Sequence, residues 1–212
     1  MKPRIKVLYV KNIDKKMRVG RAARKTVDSV DKRASRYFNK VKKEFLDRVR
    51  QDEVMQELSQ GADGPNITGT LGERRGNLFS FMGLVAGSNP DGALLDFLEE
   101  KIDYVKDHQI KGRGNKTFVL PRITFPNRAE FLERSALRLP WESGRSWVWA
   151  VEEGISNLGS FIAITSWENS RSKGGMQIKK DILPGEYQPT GFMSNLYAWL
   201  VKRWKGGSAK DL

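Results

Sequence analysis

DKKMRVGRAARKTVDSVDKRASRYFNKVKKEFLDRVRQDEVMQEL, residues 14–58, decides the fold, because its apolar positions keep helical spacing for several turns. Val27, Val30, Ala34, Tyr37, Val41, Phe45 and Val49 follow in steps of three or four. Phe38 widens the stripe into the face of a core-facing helix. No Pro or Gly interrupts Arg21 to Gln60. The other faces are basic: from Lys15 to Arg50 there are fourteen Lys and Arg against four Asp and Glu, which carries +10 of the chain's net +13. A single helix of ~40 residues would run ~60 Å, longer than a compact domain of this size is wide. A break is therefore expected at Gln51 to Val54, where polar residues interrupt the stripe, with a short helical piece through Met55 and Leu58 beyond it.

The 212 residues around this helix suit a single α+β domain: a basic helical spine at 14–58, a glycine-rich loop at 59–76, a sheet-and-helix body at 77–204 and a tail at 205–212. Ten Phe, six Trp and five Tyr supply a core. With no Cys there is no thiol catalysis, no disulfide and no cysteine-bound zinc. The apolar run in Met1 to Val10 is too short for a signal peptide, and no stretch approaches the ~20 apolar residues of a membrane span. A soluble protein made in the cytoplasm is expected. A pI near 10.0 implies attraction to an anionic partner, whether nucleic acid, an anionic membrane or an acidic protein surface, set against the plain reading of a solvated helix face.

In chain order, Arg4 to Lys11 alternates as a short strand, and Ser59 to Gly76 is a long glycine-rich connection expected to bind something or to be ordered by a neighbour. Asn77 to Val85 reads as a strand with Gly83 at a bulge, and Ala93 to Val105 as a second amphipathic helix with Asp91 as N-cap. Thr117 to Phe125 alternates around Pro121, as on an edge strand. Asn127 to Leu137 is a short helix or an irregular arm. Ser146 to Val151 reads as a strand that sets Trp147, Trp149 and Val151 on one face, for the core or a subunit interface. Ser166 to Gly175 forms a hairpin-like loop with Gly174 to Lys179 returning from it. Gly191 to Trp204 is the last helix, its cations Lys202, Arg203 and Lys205 placed where the helix dipole favours them.

Chemistry finds little to work with. Gly112-Arg113-Gly114-Asn115-Lys116-Thr117 resembles the end of a phosphate-binding loop, but Asn115 stands where glycine is needed before the lysine, so a basic turn is expected. His108 is the only histidine, which leaves no histidine zinc cluster and no serine triad. Glu152 and Glu153, like Glu99 and Glu100, are adjacent in sequence and so diverge on either a strand or a helix, a poor acid and base pair. No enzyme is expected, and no cofactor or metal.

The order of elements, together with Gly76-Asn77-Leu78-Phe79-Ser80-Phe81 after the helix and Trp149-Ala150-Val151-Glu152-Glu153-Gly154-Ile155 later, resembles neck proteins of tailed bacteriophages, the tail-completion and head-to-tail connector class. That class joins a long N-terminal helix to a Gly-x-Leu segment, then to strands ending in an aromatic-rich stretch with Glu-x-Gly, then to a C-terminal helix. Glu152 and Gly154 match the Glu and Gly, Glu153 less closely. The Ser170-Arg171-Ser172-Lys173-Gly174-Gly175 loop is similar to loops of phage virion proteins. The resemblance covers roughly Asp14 to Trp204. It departs at Arg75-Gly76 and in the long Leu84 to Lys116 insertion, which leaves the position within the neck open.

The fold this implies is α+β, a long N-terminal amphipathic helix packed on a mostly antiparallel sheet, with a C-terminal helix. The function it implies is that of a virion ring subunit joining head to tail around the DNA channel. Its partners would be further copies of itself, neighbouring neck, portal or tail proteins, and the double-stranded DNA in passage, with no membrane. Interaction residues are expected at Arg21, Arg24, Lys25, Lys32, Arg36, Lys40, Lys43, Trp147, Trp149 and Arg171. For the basic helix an acidic protein neighbour is the favoured contact, since a channel that gripped phosphate would hinder DNA passage. The rival is a basic nucleic-acid-binding protein of the packaging or ribosome-associated kind, recognised by tight, steeply salt-dependent binding as a monomer.

Overall fold

The computed structural model describes residues 4–6, 9–12, 21–71, 76–106, 116–119, 122–154, 158–163, 169–173, 175–179 and 187–206, with backbone alone for 4–6, 9–12, 21–27, 116–119, 158–163 and 176–179. The class is α+β, as read from the sequence. Residues Met1–Phe45, Leu98–Asn127 and Ala198–Leu212 form one compact unit, and Leu46–Phe97 with Arg128–Tyr197 form a second.

The first unit is built on helix α1 (Arg21–Arg50), which contributes its residues up to Phe45. The stripe is buried as its spacing requires: Ala34, Tyr37, Phe38, Val41 and Phe45 are all at most 3% exposed. Strands β1 (Arg4–Lys6), β3 (Asp103–Val105) and β5 (Arg122–Thr124) make an antiparallel sheet in the order β1-β5-β3. Strands β2 (Tyr9–Asn12) and β4 (Lys116–Val119) pair separately. The expected strand at Arg4 to Lys11 is thus two short strands with different partners, and the one at Thr117 to Phe125 is likewise two.

Helix and sheet meet through rings. Phe38 lies 5.8 Å from Tyr104 of β3, and Phe45 meets Phe125 edge-on at 6.1 Å. The Tyr104 hydroxyl donates to Asp31 at 2.8 Å, and burial followed by that bond pushes its pKa far up. The end of helix α7 (Phe192–Lys205) completes the unit, with Trp204 stacked on Tyr37 at 5.4 Å and Trp199 on Phe45 at 6.5 Å. Arg203 grips Glu44 through Nε at 2.7 Å and Nη2 at 3.2 Å, and the Tyr37 hydroxyl donates to the Arg203 carbonyl at 2.8 Å.

The second unit begins inside the last turn or so of α1, at Leu46. The break falls at the expected place: Asp52 leaves the helix at φ −67°, ψ 140°, and its carboxylate accepts from the Val54 amide to start α2 (Glu53–Ser59). Asn77-Leu78-Phe79-Ser80-Phe81 is a helix, α3 (Leu78–Phe81), and not the expected strand. The Asn77 side chain accepts from the Ser80 amide and so opens a turn, while a run this short carries no period strong enough to separate strand from helix.

Helix α4 (Pro90–Lys101) starts one residue before Asp91, because Asn89 supplies the cap to the Gly92 amide and proline suits the first helical position. It stops at Lys101, so the expected helical residues Asp103 to Val105 are β3 of the first unit instead. The arm at Asn127 to Leu137 holds α5 (Arg128–Phe131) and one 3-10 turn. A hairpin of β6 (Arg138–Leu139) and β7 (Glu142–Ser146) follows.

The expected strand at Ser146 to Val151 is helix α6 (Trp147–Glu153). Its opening residue explains the difference: the Ser146 hydroxyl caps the Val148 amide, and Gly154 at φ +81° ends the helix. The alternation of Trp147 and Trp149 about Val148 is therefore not a sheet face. Strands β8 (Leu158–Ala163) and β9 (Gly175–Lys179) pair antiparallel, which bears out the returning strand after the Ser166 to Gly175 loop. The rings Phe97, Phe131 and Trp149 form a chain, 4.8 Å and then 5.6 Å apart.

Candidate functional site

Lys32, Arg33, Arg36, Lys40 and Lys43 are exposed on α1, off the buried stripe, as its spacing predicts. Arg21, Arg24 and Lys25 are helical, but their side chains lie outside the described residues. The four acids of the described helix are all taken. Lys106 reaches Asp31 at 3.0 Å and Asp28 at 3.3 Å, Arg203 holds Glu44, and Arg50 holds Asp47 at 2.8 Å. Lys42, on a flank of the helix, donates to the Glu99 carbonyl. What remains is a face of cations that none of the described acids neutralises.

Arg171 sits elsewhere, in the second unit, where the turn from Ser170 to Lys173 docks on the turn at Gly83 to Ala86. Its guanidinium donates to the Gly83 carbonyl at 3.4 Å, and its own carbonyl accepts from the Ala86 amide at 3.1 Å. Gly83 is at φ +62°, and a Cβ there would stand 3.2 Å from the Arg171 guanidinium and 3.5 Å from the Trp141 ring. The Trp141 indole donates to the Met82 carbonyl at 3.0 Å while the ring stays 36% exposed, beside Val85 at 50%. Trp141 and Arg171 thus both approach Gly83, and Val85 is exposed on the same turn.

Trp147 is wholly buried, its indole N–H donated to the Ala136 carbonyl at 3.1 Å, so it belongs to the core. Trp149 is half-buried, with Phe131 against it and the Arg128 guanidinium 4.4 Å from its ring centre; Arg128 also pairs with Glu153. Its indole nitrogen is buried without a hydrogen-bond partner. No protein-family model, curated protein or solved structure matches this chain.

A second constellation went unread in the sequence. Glu57, wholly buried on α2, accepts from the Thr68 amide and hydroxyl, both at 2.8 Å, and from the Leu78 amide at 2.6 Å. Asn77 adds bonds from its side-chain amide to the carbonyls of Gly61 at 2.6 Å and Gly64 at 2.9 Å. The described part of the Ser59 to Gly76 connection is therefore folded onto its own chain, so the expectation that a neighbour must order it does not hold there. The signal was present: Glu57 lies three residues after Val54, on the apolar side of α2.

Glu152 accepts from the Met193 and Ser194 amides at 2.7 and 3.3 Å and so caps α7, while Glu153 turns away to Arg128, the divergence expected of neighbours. Beside these junctions lies an open groove of about 440 Å3, bordered by Asp52, Thr68, Thr190 and Asn195. Burial pushes the Asp52 carboxyl up, against the opposing bond from the Val54 amide. Asp52 and Thr68 already serve as a cap and a loop tie, while the Thr190 hydroxyl on the same wall is buried without a hydrogen-bond partner. His108 and the Gly112 to Asn115 turn lie outside the described residues, and Lys116 and Thr117 belong to β4. Among the described residues no group of three or more His, Cys, Asp or Glu is placed to hold a metal, and no helix is long and apolar enough to cross a membrane.

Proposed function

We propose that this protein is a structural component of the neck of a tailed bacteriophage, a ring subunit that joins head to tail around the DNA channel. The observation that carries the reading is the position of the short motifs on which the resemblance rests. Asn77 caps α3 and ties down the loop after α2, Glu152 caps the C-terminal helix, and Gly154 ends α6 at a backbone angle suited to glycine. The motif residues thus hold the junctions between helices. The aromatic stretch with Glu-x-Gly is itself the helix α6 and departs from the strand that the class carries there, so the support lies in the long first helix, the Asn77 turn and the capped C-terminal helix. The exposed surface is equipped for contact. Folding leaves Trp141 and Arg171 exposed where both approach Gly83, with Val85 exposed on the same turn, and Trp and Arg are the residue types that anchor protein interfaces. A neighbouring subunit of the ring would seat there.

Electron microscopy of the purified virion, with the subunit tagged, tests the reading. Density for the tag between head and tail is the expected result. Recovery of the protein from infected cells but never from the particle overturns it.

A further inference from the structure

The exposed face of α1 has a composition that selects among anionic partners. At 100° per residue, Lys32, Arg33, Arg36, Lys40 and Lys43 fall within a sector of about 100°, over a rise of about 16 Å. The other exposed positions between Asp28 and Lys43 are Ser29 and Asn39, so no apolar or aromatic side chain interrupts the face. The acids alongside are already held: Asp28 and Asp31 by Lys106, and Glu44 by Arg203.

A protein partner would want a desolvated centre, and protein interface cores are poor in lysine and rich in aromatic rings. A single strand would want rings for its bases to stack on. An anionic membrane would want an apolar face to insert, and the apolar face of α1 is buried. Lys, Arg, Ser and Asn without rings are the side chains that contact duplex phosphates and read no sequence. In place of the acidic protein neighbour favoured from the sequence, we infer that the Lys32 to Lys43 face of α1 binds the phosphate backbone of double-stranded DNA without sequence preference. The inference stands on this face and is independent of the neck reading: a chain absent from virions could still bind duplex, and a neck subunit could fail to.

The test is fluorescence anisotropy of the full chain with a labelled duplex, at salt from about 50 to 200 mM. Five phosphate contacts give a log–log slope of about −4.5, hence a loss of roughly 500-fold in affinity over that range. Replacing Lys32→Gln, Arg36→Gln and Lys43→Gln together should flatten the slope by about 2.7. The control Lys173→Gln, Lys202→Gln, Lys205→Gln removes the same charge from exposed sites off this face and should leave the slope near that of the parent. Thermal melts of both variants should match the parent, because the replaced side chains are exposed. A second duplex of unrelated sequence should bind equally well. Equal slopes for the two variants would reduce the binding to net charge and overturn the assignment. So would an absence of duplex binding, and so would loss of subunit assembly with the duplex slope intact, which would give the face to an acidic protein neighbour.

Discussion

Glu57 is a carboxylate without access to water that receives three hydrogen bonds from residues eleven to twenty-one positions further on. Truncating it strands the buried Leu78 amide and the part-buried Thr68 amide, and an unmet buried donor costs about 1–3 kcal/mol, so Glu57→Ala should lower stability by roughly 2–4 kcal/mol in urea unfolding. Glu57→Gln should cost less, since it keeps one acceptor oxygen and turns an N–H toward the other donors. Faster hydrogen exchange at the Thr68 and Leu78 amides would locate the damage. Tyr187 offers a test in pH. Its ring stacks on Phe81 at 5.1 Å, its hydroxyl donates to the Val151 carbonyl at 2.8 Å, and burial, then the charges of Glu57 and Glu152, push its pKa far up. In the unfolded chain tyrosine ionises near pH 10, while the folded residue keeps its proton, so the unfolded state sheds protons first and stability falls as pH rises above about 10. Tyr187→Phe should lose about 1 kcal/mol at neutral pH and show a shallower alkaline decline in urea midpoint. Tyr104, shifted in the same direction, should preserve the remainder of that decline.

Among the elements, the ends carry the information. Gly154 stands at φ +81°, ψ 172°, in a region essentially reserved for glycine, and a Cβ would meet Pro189 at 3.4 Å and Tyr187 at 3.6 Å. Gly154→Ala should therefore cost about 1–3 kcal/mol, read as a lowered melting temperature. Glu152→Gln weakens the cap on α7 by roughly 1 kcal/mol and should speed exchange at the Met193 and Ser194 amides. The long helix was legible because seven apolar positions in register outweigh any local ambiguity, and the break at Asp52 was legible because a capping residue sits where the stripe lapses. Trp147 to Val151 was misread because Trp and Val favour strands and five residues fit either period; Ser146 and Gly154, a cap and a stop, were the decisive letters. The basic face could be read off the helix in advance. The burial of Glu57 was signalled by its place on the apolar side of α2, but its partners Thr68 and Leu78, like the meeting of Trp141 and Arg171 at Gly83, could not be read, since they depend on what the chain brings together across turns.

For the molecule as a whole, the ring reading predicts that assembly depends on the exposed Val85, Trp141 and Arg171 and not on the buried Trp147. Trp141→Ser should reduce oligomers at high protein concentration, as measured by native mass spectrometry, while leaving the melting temperature within about 2–4 °C, the shift expected of ~1 kcal/mol in a chain of this size. An unchanged oligomer distribution would remove these side chains from the interface.

The pairing of Arg4 with Thr124, and of Tyr37 with Arg203, bears also on how the chain is made. At about 5–20 residues per second, β1 waits some 6 to 24 seconds on the ribosome for its partner strand, and the aromatic face of α1 waits longer for Trp199 and Trp204. Through that interval Tyr37, Phe38 and Phe45 lack the rings that cover them in the finished fold. The first unit is thus closed by α7, the last of the described helices, and a ribosome stalled before residue 198 would present a sticky, strongly basic nascent chain in need of a chaperone.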